Sequence, residues 1–228
     1  MKKLCSLVIA TLLALAMVGC GHEDHHDRVV VPPTVVEIFS DPTLDGDIKK
    51  DLATGTIGAP TVATNTGNVL AGIDVNPATG VFISESRGFL IFPLAALPSN
   101  ASIQFASVTV FVNNVSFGTS STAPIPFLLD SIDTILFPPP IVSSDFDSAF
   151  RTSRSLSFFG RDAGTFVEIN VTSLLADAQA RLLPQFEVRF LFDQARFLND
   201  PTTTPGLIEI DDRATNTSRA PFLHVEFF

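Results

Sequence analysis

The stretch SRGFLIFPLAALPSNASIQFASVTVFV, residues 86–112, gives the clearest indication of the fold. Its second half places Ala106, Val108, Val110 and Val112 on one face, with Ser107 and Thr109 opposite. An apolar period of two is typical of a β-strand with one buried face. Pro93 and Pro98 interrupt the first half, and proline within a sheet is confined to edges, bulges and strand ends. We therefore predict a strand, a proline-closed turn and a second strand.

The same rhythm recurs along the chain, in runs rich in Val, Ile, Phe and Thr and bounded by Gly, Pro, Asn and Asp. The predicted strands are 34–39, 68–73, 87–94, 106–113, 125–132, 165–171, 185–192, 206–211 and 221–227. Half-buried strands of this kind predict an all-β fold, an antiparallel jelly-roll-like β-sandwich. Glu187 and Arg189 fall on the side of their strand opposite to its four apolar residues. Residues 137–161 show little periodicity and predict a long loop.

One segment, residues 171–182, has helical rather than strand spacing. Its apolar residues are Leu174, Leu175, Ala178 and Leu182. Thr172 is a candidate N-cap, and Pro184 limits the helix at its other end. We predict one short amphipathic helix packed over an end of the sandwich.

The N-terminus has the pattern of an export signal. Lys2 and Lys3 precede the apolar run 4–17, and Gly19 directly precedes Cys20. This pattern resembles the lipobox of bacterial lipoproteins, which implies cleavage before Cys20 and lipidation of its thiol. The run is shorter than the roughly 20 residues of a membrane-spanning helix. The expected organisation is a signal peptide over 1–19, a lipidated Cys and polar tether over 20–33, and one β-sandwich domain over 34–228.

The lipid would make the membrane a partner and place the protein in the bacterial cell envelope. By analogy with lipoproteins, Gly21 rather than Asp after the cysteine favours the outer membrane, in either leaflet. The tether holds His22, His25 and His26 beside carboxylates. Such a cluster can bind a transition metal weakly, but a flexible spacer is the alternative reading because it lacks rigid support for ligands.

Composition excludes some classes of function. Hydrophobic residues make up 46% of the chain and charged residues 17%, which indicates a folded domain. The net charge of −10 argues against a nucleic-acid partner. Beyond the tether, the sequence contains no nucleophile elbow, zinc-protease motif, P-loop or dinucleotide fingerprint. His224, the one histidine beyond the tether, alternates outward on its strand. We therefore predict that the protein is not an enzyme.

The opening stretch resembles the first hairpin of the DNRLRE-type domains of secreted bacterial proteins. Their pattern is Arg-Gly-Phe-Leu-x-Phe-x-Leu, then x-Pro-x-x-Ala-x-Ile, then an alternating strand. Further similar segments follow in order, including VEINVTSLL (167–175) and APFLHVEF (220–227). The resemblance implies a jelly-roll-like sandwich. Some members of that family bind carbohydrate and others are surface modules.

Two acidic clusters suit Ca²⁺, which takes oxygen ligands. Asp41, Asp45 and Asp47 surround Gly46, and Asp211 and Asp212 follow a later strand. We expect the clusters to meet if their strands are neighbours. The alternative is that these residues only form turns, with Gly46 at positive φ. Ca²⁺ is the one cofactor that the sequence suggests.

Two binding hypotheses follow, and Arg87 has two possible roles of its own. The chain has 21 Phe but no Trp or Tyr, which weakens the case for polysaccharide binding. Outward apolar residues predict a surface-protein partner unless the helix or the 137–161 loop covers them: Phe89, Ile91, Phe111 and Leu191. Arg87 is either a ligand for an anionic group or a structural anchor. The leading prediction is a non-catalytic, lipid-anchored interaction or structural module, and the alternative is a Ca²⁺-assisted carbohydrate-binding module.

Overall fold

Antiparallel β-strands form most of the regular structure in the residues that the computed structural model describes, which are 32–136, 138–212 and 218–228. The strands are β1 (Thr34–Phe39), β2 (Gly46–Asp51), β3 (Thr61–Val62), β4 (Asn68–Val75), β5 (Phe82–Pro93), β6 (Ile103–Phe117), β7 (Ile125–Ile132), β8 (Phe150–Phe158), β9 (Thr165–Asn170), β10 (Gln185–Phe192), β11 (Gly206–Asp211) and β12 (Phe222–Phe227). They lie in one unit, Pro33–Phe228. The predicted antiparallel all-β, sandwich-like fold is confirmed.

The strands follow the order β1-β12-β6-β11-β4-β5-β10-β7-β8 in one curled sheet. Strand β9 pairs with β6, β2 pairs with β5, and β3 pairs with β2. The long strands β5 and β6 each pair with three others, so the sheet curls around them. Gly88 permits the close approach of β5 to Val69 on β4, since a Cβ at Gly88 would lie 2.7 Å from the Val69 side chain.

The main core lies inside this curl and matches the predicted alternation. Ala106, Val108, Val110 and Val112 of β6 are all fully buried. Leu90 and Phe92 of β5 join the same cluster, as do Leu223 and Val225 of β12. Pro93 is the last residue of β5. A strand end is one of the positions where proline is expected, because proline has no N–H to donate to the sheet.

A second, smaller core lies on the other side of β5. It contains Ile48, Phe89, Ile91, Ile141 and Phe146. The residues 141–148 form a covering segment over β5 and β10, and their 3₁₀-helix, Ser143–Asp147, carries Phe146. Glu187 and Arg189 on β10 are consequently only 2% and 3% exposed. The expectation that this strand is half-buried was wrong because the covering segment closes its polar side.

Three strands lack the apolar alternation and escaped prediction: β2, β3 and β8. Strand β8 lies within the predicted loop 137–161, so that prediction was wrong. Its sequence, FRTSRSLSF, is polar and largely exposed because it is an edge strand that, among the described strands, pairs only with β7. Such a strand forms because it hydrogen-bonds to a neighbouring strand, and its own sequence need not carry an apolar face.

The predicted helix is present as α2 (Thr172–Ala180) and buries Leu174, Leu175 and Ala178. Two further short helices were not predicted, α1 (Ala63–Thr66) and α3 (Gln194–Asn199). Leu182 lies beyond α2 and is 70% exposed, contrary to its predicted apolar role. Thr172 does not cap α2. It is the first helical residue, and its hydroxyl accepts a hydrogen bond from the Ala106 N–H at 2.9 Å.

Candidate functional site

The predicted signal peptide, the lipidation site Cys20 and the tether histidines His22, His25 and His26 lie outside the described residues. The structure therefore does not bear on lipidation or on metal binding by the tether. Within 32–136, 138–212 and 218–228, no helix is long and apolar enough to cross a membrane.

Arg87 lies on β5 and is held by the covering segment. Its Nε donates to Glu85 Oε1 at 2.7 Å, and its Nη1 donates to Asp147 Oδ1 at 3.1 Å and to the Phe146 carbonyl. Its guanidinium carbon lies 4.0 Å from the centroid of the Phe146 ring. The side chain is only 15% exposed. These contacts leave little of the guanidinium open to an anionic ligand.

A buried polar network lies beneath the covering segment. Arg189 Nη2 donates to Asp130 Oδ2 at 2.7 Å, and its Nη1 donates to the carbonyls of Asp145, Phe146 and Ser148. Glu187 Oε2 is buried without a hydrogen-bond partner. Burial raises the pKa of Glu187 to about 8, with a further contribution from the charge of Asp145. The network ties the segment to β10 but is closed to solvent.

The structure brings part of the two acidic clusters together. Asp45 is fully buried, and its Oδ1 accepts the Ile91 N–H at 2.6 Å. Burial raises the pKa of Asp45 well above its usual range, and the charge of nearby Asp212 raises it further. Burial also raises the pKa of Asp212, as do the charges of Asp211 and Asp41. Ser40, which no sequence pattern indicated, interacts with both Asp45 and Asp212.

The other predicted calcium ligands are engaged elsewhere. Asp41 accepts hydrogen bonds from the backbone and hydroxyl of Thr43, which makes it a turn residue. Asp211 Oδ2 lies 3.8 Å from Arg219 Nη1. Among the described residues, no group of three or more His, Cys, Asp or Glu could hold a metal ion. Gly46 does not have a positive φ; a Cβ there would collide with the Thr61 carbonyl.

Asp47 points to a separate surface cleft of about 320 Å³, which Lys49, Asn68 and Glu209 also line. Its Oδ1 accepts the Leu70 N–H at 3.3 Å. Burial raises the pKa of Asp47 to about 6, although the hydrogen bond and the nearby Lys49 oppose this shift. Asp47 therefore does not belong with Asp45 and Asp212.

A polar and aromatic surface lies on the side of β1, β12, β6 and β9 that faces away from the core, here called the outer face. The register aligns Glu37, His224, Ser107 and Asn170 in one row across the four strands. The next row places two phenylalanines beside a hydroxyl and a carboxylate: Phe39, Phe222, Thr109 and Glu168.

A shallow depression of about 360 Å³ lies on the outer face. Phe105 and Phe222 supply its apolar lining, and Glu37, Glu168 and Glu226 line it with carboxylates. His224 Nε2 lies 3.4 Å from Glu226 Oε1. No Lys or Arg of the described residues lines this depression. The arrangement offers hydrogen-bond acceptors and ring surface.

The predicted apolar surface is mostly absent. Phe89 and Ile91 are fully buried beneath the covering segment, and Leu191 is partly buried. Phe111 is 7% exposed, and the Arg219 guanidinium lies 4.1 Å from the centroid of its ring. The sequence also allowed that part of the region 137–161 covers these residues, and this is confirmed for Phe89 and Ile91.

The outer face was missed because alternation identifies outward residues strand by strand but does not say which strands are neighbours. Outward Glu168 and His224 are 56 positions apart and share this face only through β6. The chain matches no protein-family model and no curated protein. The resemblance to DNRLRE-type domains therefore remains a prediction.

Proposed function

We propose that the protein is a non-catalytic interaction module of the bacterial cell envelope, anchored through lipid on Cys20, that binds a surface protein on its outer face. The observation that carries the proposal is the depression lined by Phe105, Phe222 and three glutamates. Aromatic groups beside carboxylates, in a depression that no Lys or Arg of the described residues lines, favour a partner that offers Lys or Arg together with apolar groups.

The size of the outer face indicates a transient interaction. Strands of six residues at about 3.3 Å each, spaced about 4.8 Å apart, give a face of roughly 20 by 20 Å. About 400 Å² is half of what a standard interface buries on each partner. Val35, Phe39 and Phe166 are each about half exposed around the depression and extend its apolar area.

A neutral polysaccharide is the second candidate ligand. Carboxylates and hydroxyls beside phenylalanine rings suit a sugar whose hydroxyls donate hydrogen bonds and whose apolar face stacks. The three carboxylates disfavour an anionic glycan at this face, because like charges would be brought together. A glycan array with neutral and uronate polymers separates this candidate from the first.

Binding to isolated cell envelopes tests the proposal. The mature chain with Cys20→Ser is labelled and titrated against envelopes at low and high salt. We expect saturable binding that weakens with salt and falls at least fivefold in a Glu37→Gln, Glu168→Gln double variant. A matched variant, Asp74→Asn with Asp177→Asn, removes two carboxylates from β4 and α2 and should bind as the parent does. Equal loss in both variants, or binding that salt does not change, would contradict the proposal.

A further inference from the structure

Two segments that are distant in sequence meet at Ser40, Asp45 and Asp212. Ser40 follows β1, Asp45 precedes β2, and Asp212 follows β11. Backbone hydrogen bonds fix all three: Ser40 N–H donates to the Pro221 carbonyl, Ala63 N–H to the Asp45 carbonyl, and Asp212 N–H to the Gly67 carbonyl. Their side chains are thus held on rigid parts of the fold, as a preformed site requires.

Four of the five side-chain oxygens at this point have no hydrogen-bond partner, the exception being Asp45 Oδ1, which accepts the Ile91 N–H. Asp45 and Asp212 are 0% and 1% exposed, and Ser40 is 6% exposed. Asp45 Oδ2, both carboxylate oxygens of Asp212 and Ser40 Oγ are all buried and unpaired. No ion pair within the described residues joins Asp45 or Asp212 to a Lys or Arg. Buried carboxylates normally have paired or metal-bound oxygens, because an unpaired buried charge costs several kcal/mol.

We propose that Ser40, Asp45 and Asp212 form a Ca²⁺ site that links the segment between β1 and β2 to the end of β11. A proton is the competing way to neutralise the pair. One shared proton would join one oxygen of Asp45 to one of Asp212, and the Ser40 hydroxyl would donate to a remaining carboxylate oxygen. One negative charge would then stay buried without a cation. A divalent cation engages all four oxygens and cancels both charges.

The chemistry of the ligands selects the ion. The side chains here offer only oxygen, and neither imidazole nor thiolate is present among them, which favours a hard cation over zinc or copper. Ca²⁺ takes six to eight oxygen ligands with flexible geometry and accepts waters among them. Two carboxylates and a hydroxyl therefore suffice as the side-chain part of the site.

Calcium titration of the chelator-treated mature chain, carrying Cys20→Ser, tests this site through heat of binding and melting temperature. We expect one Ca²⁺ per chain and a rise in Tm of about 5 °C at saturation. Asp212→Asn should abolish the binding heat, and Ser40→Ala should weaken the affinity about tenfold. Asp47→Asn, which alters a neighbouring acidic residue outside the site, should leave both readouts unchanged.

Three results would each overturn the proposal. The first is that Ca²⁺ gives the parent neither binding heat nor a shift in Tm. The second is that NaCl at matched ionic strength shifts the Tm as much as Ca²⁺ does. The third is that Asp212→Asn and Ser40→Ala both bind Ca²⁺ as the parent does. The site does not depend on the proposed binding role of the outer face, and none of these readouts uses a partner. Failure of the Ca²⁺ proposal would therefore not count against binding at the outer face.

Discussion

The guanidinium of Arg87 stacks on the ring of Phe146, with 4.0 Å between the guanidinium carbon and the ring centroid. Arg87 belongs to β5 and Phe146 to the 3₁₀-helix of the covering segment, so the contact holds that segment against the sheet. The same guanidinium bonds Glu85 and Asp147. The geometry favours an anchoring role for Arg87 over a ligand-binding role.

Replacement of Arg87 by alanine tests this anchoring role. Loss of a partly buried, charge-assisted network and a cation–π contact should lower the free energy of unfolding by about 2 kcal/mol. Urea unfolding measures the change. Arg154→Ala is the control, because Arg154 is exposed and makes one long hydrogen bond to Asn170, of 3.4 Å. Equal stability of Arg87→Ala and Arg154→Ala would refute the anchoring role.

Phe146 should be the main apolar contact of the covering segment. It is fully buried in the second core, so Phe146→Ala should cost about 3–5 kcal/mol through lost burial and a residual cavity. Phe150, in contrast, is 54% exposed on the edge strand β8. Phe150→Ala should therefore change the unfolding free energy by less than about 0.5 kcal/mol. A loss below about 1 kcal/mol for Phe146→Ala would show that the segment packs only loosely.

Glu187 should make stability depend on pH. Its pKa is about 8 in the folded chain and its usual value is 4.5, so the folded state holds a proton that the unfolded state has lost. Stability should therefore fall as pH rises from about 4.5 to 8, by up to roughly 1.4 kcal/mol per pH unit, with no further fall above that window.

Glu187→Gln removes this titration and should stabilise the protein at pH 8 relative to the parent, with little difference at pH 4.5. Urea unfolding across this range measures the difference between the two chains. Glu37→Gln, at an exposed position on β1, is the matched control and should show no such trend. A parent and a Glu187→Gln variant with parallel pH profiles would mean that Glu187 is not held protonated.

Lipidation of Cys20 is tested in cells. Metabolic labelling with an alkyne fatty acid should mark the parent, and Cys20→Ser should abolish both the label and membrane fractionation. Cys5→Ser is the control, because Cys5 is expected to leave with the signal peptide. Label retained on Cys20→Ser, or lost on Cys5→Ser alone, is the outcome incompatible with the proposed anchor.

The sequence predicted those parts of the fold that are encoded locally. The alternation of Val108 and Thr109 defined the buried and outer faces of β6, and the spacing of Leu174 and Ala178 defined the buried face of α2. It did not predict burial of Glu187, because that burial depends on a polar segment about 40 residues away that has no apolar rhythm.

The candidate sites were harder to predict because they depend on which strands are neighbours. Local composition identified Asp45 and Asp212 as ligand types, but their meeting depends on the packing of β2 near the end of β11. No sequence pattern predicted a role for Ser40, since serine is common at strand ends. The aromatic and acidic outer face likewise arises only when β12 lies between β1 and β6.

Site-specific photo-crosslinking from Phe222 tests the central claim, binding on the outer face, most directly. A benzophenone amino acid replaces Phe222 on that face or, as the control, exposed Phe150 on β8, and cells are irradiated before the adducts are mapped. We expect a discrete protein adduct from position 222 that is absent from position 150. Its crosslinked segment should contain Lys or Arg, and its yield should fall with Glu37→Gln and Glu168→Gln. The same adducts from both positions, or none from position 222, would contradict the central claim.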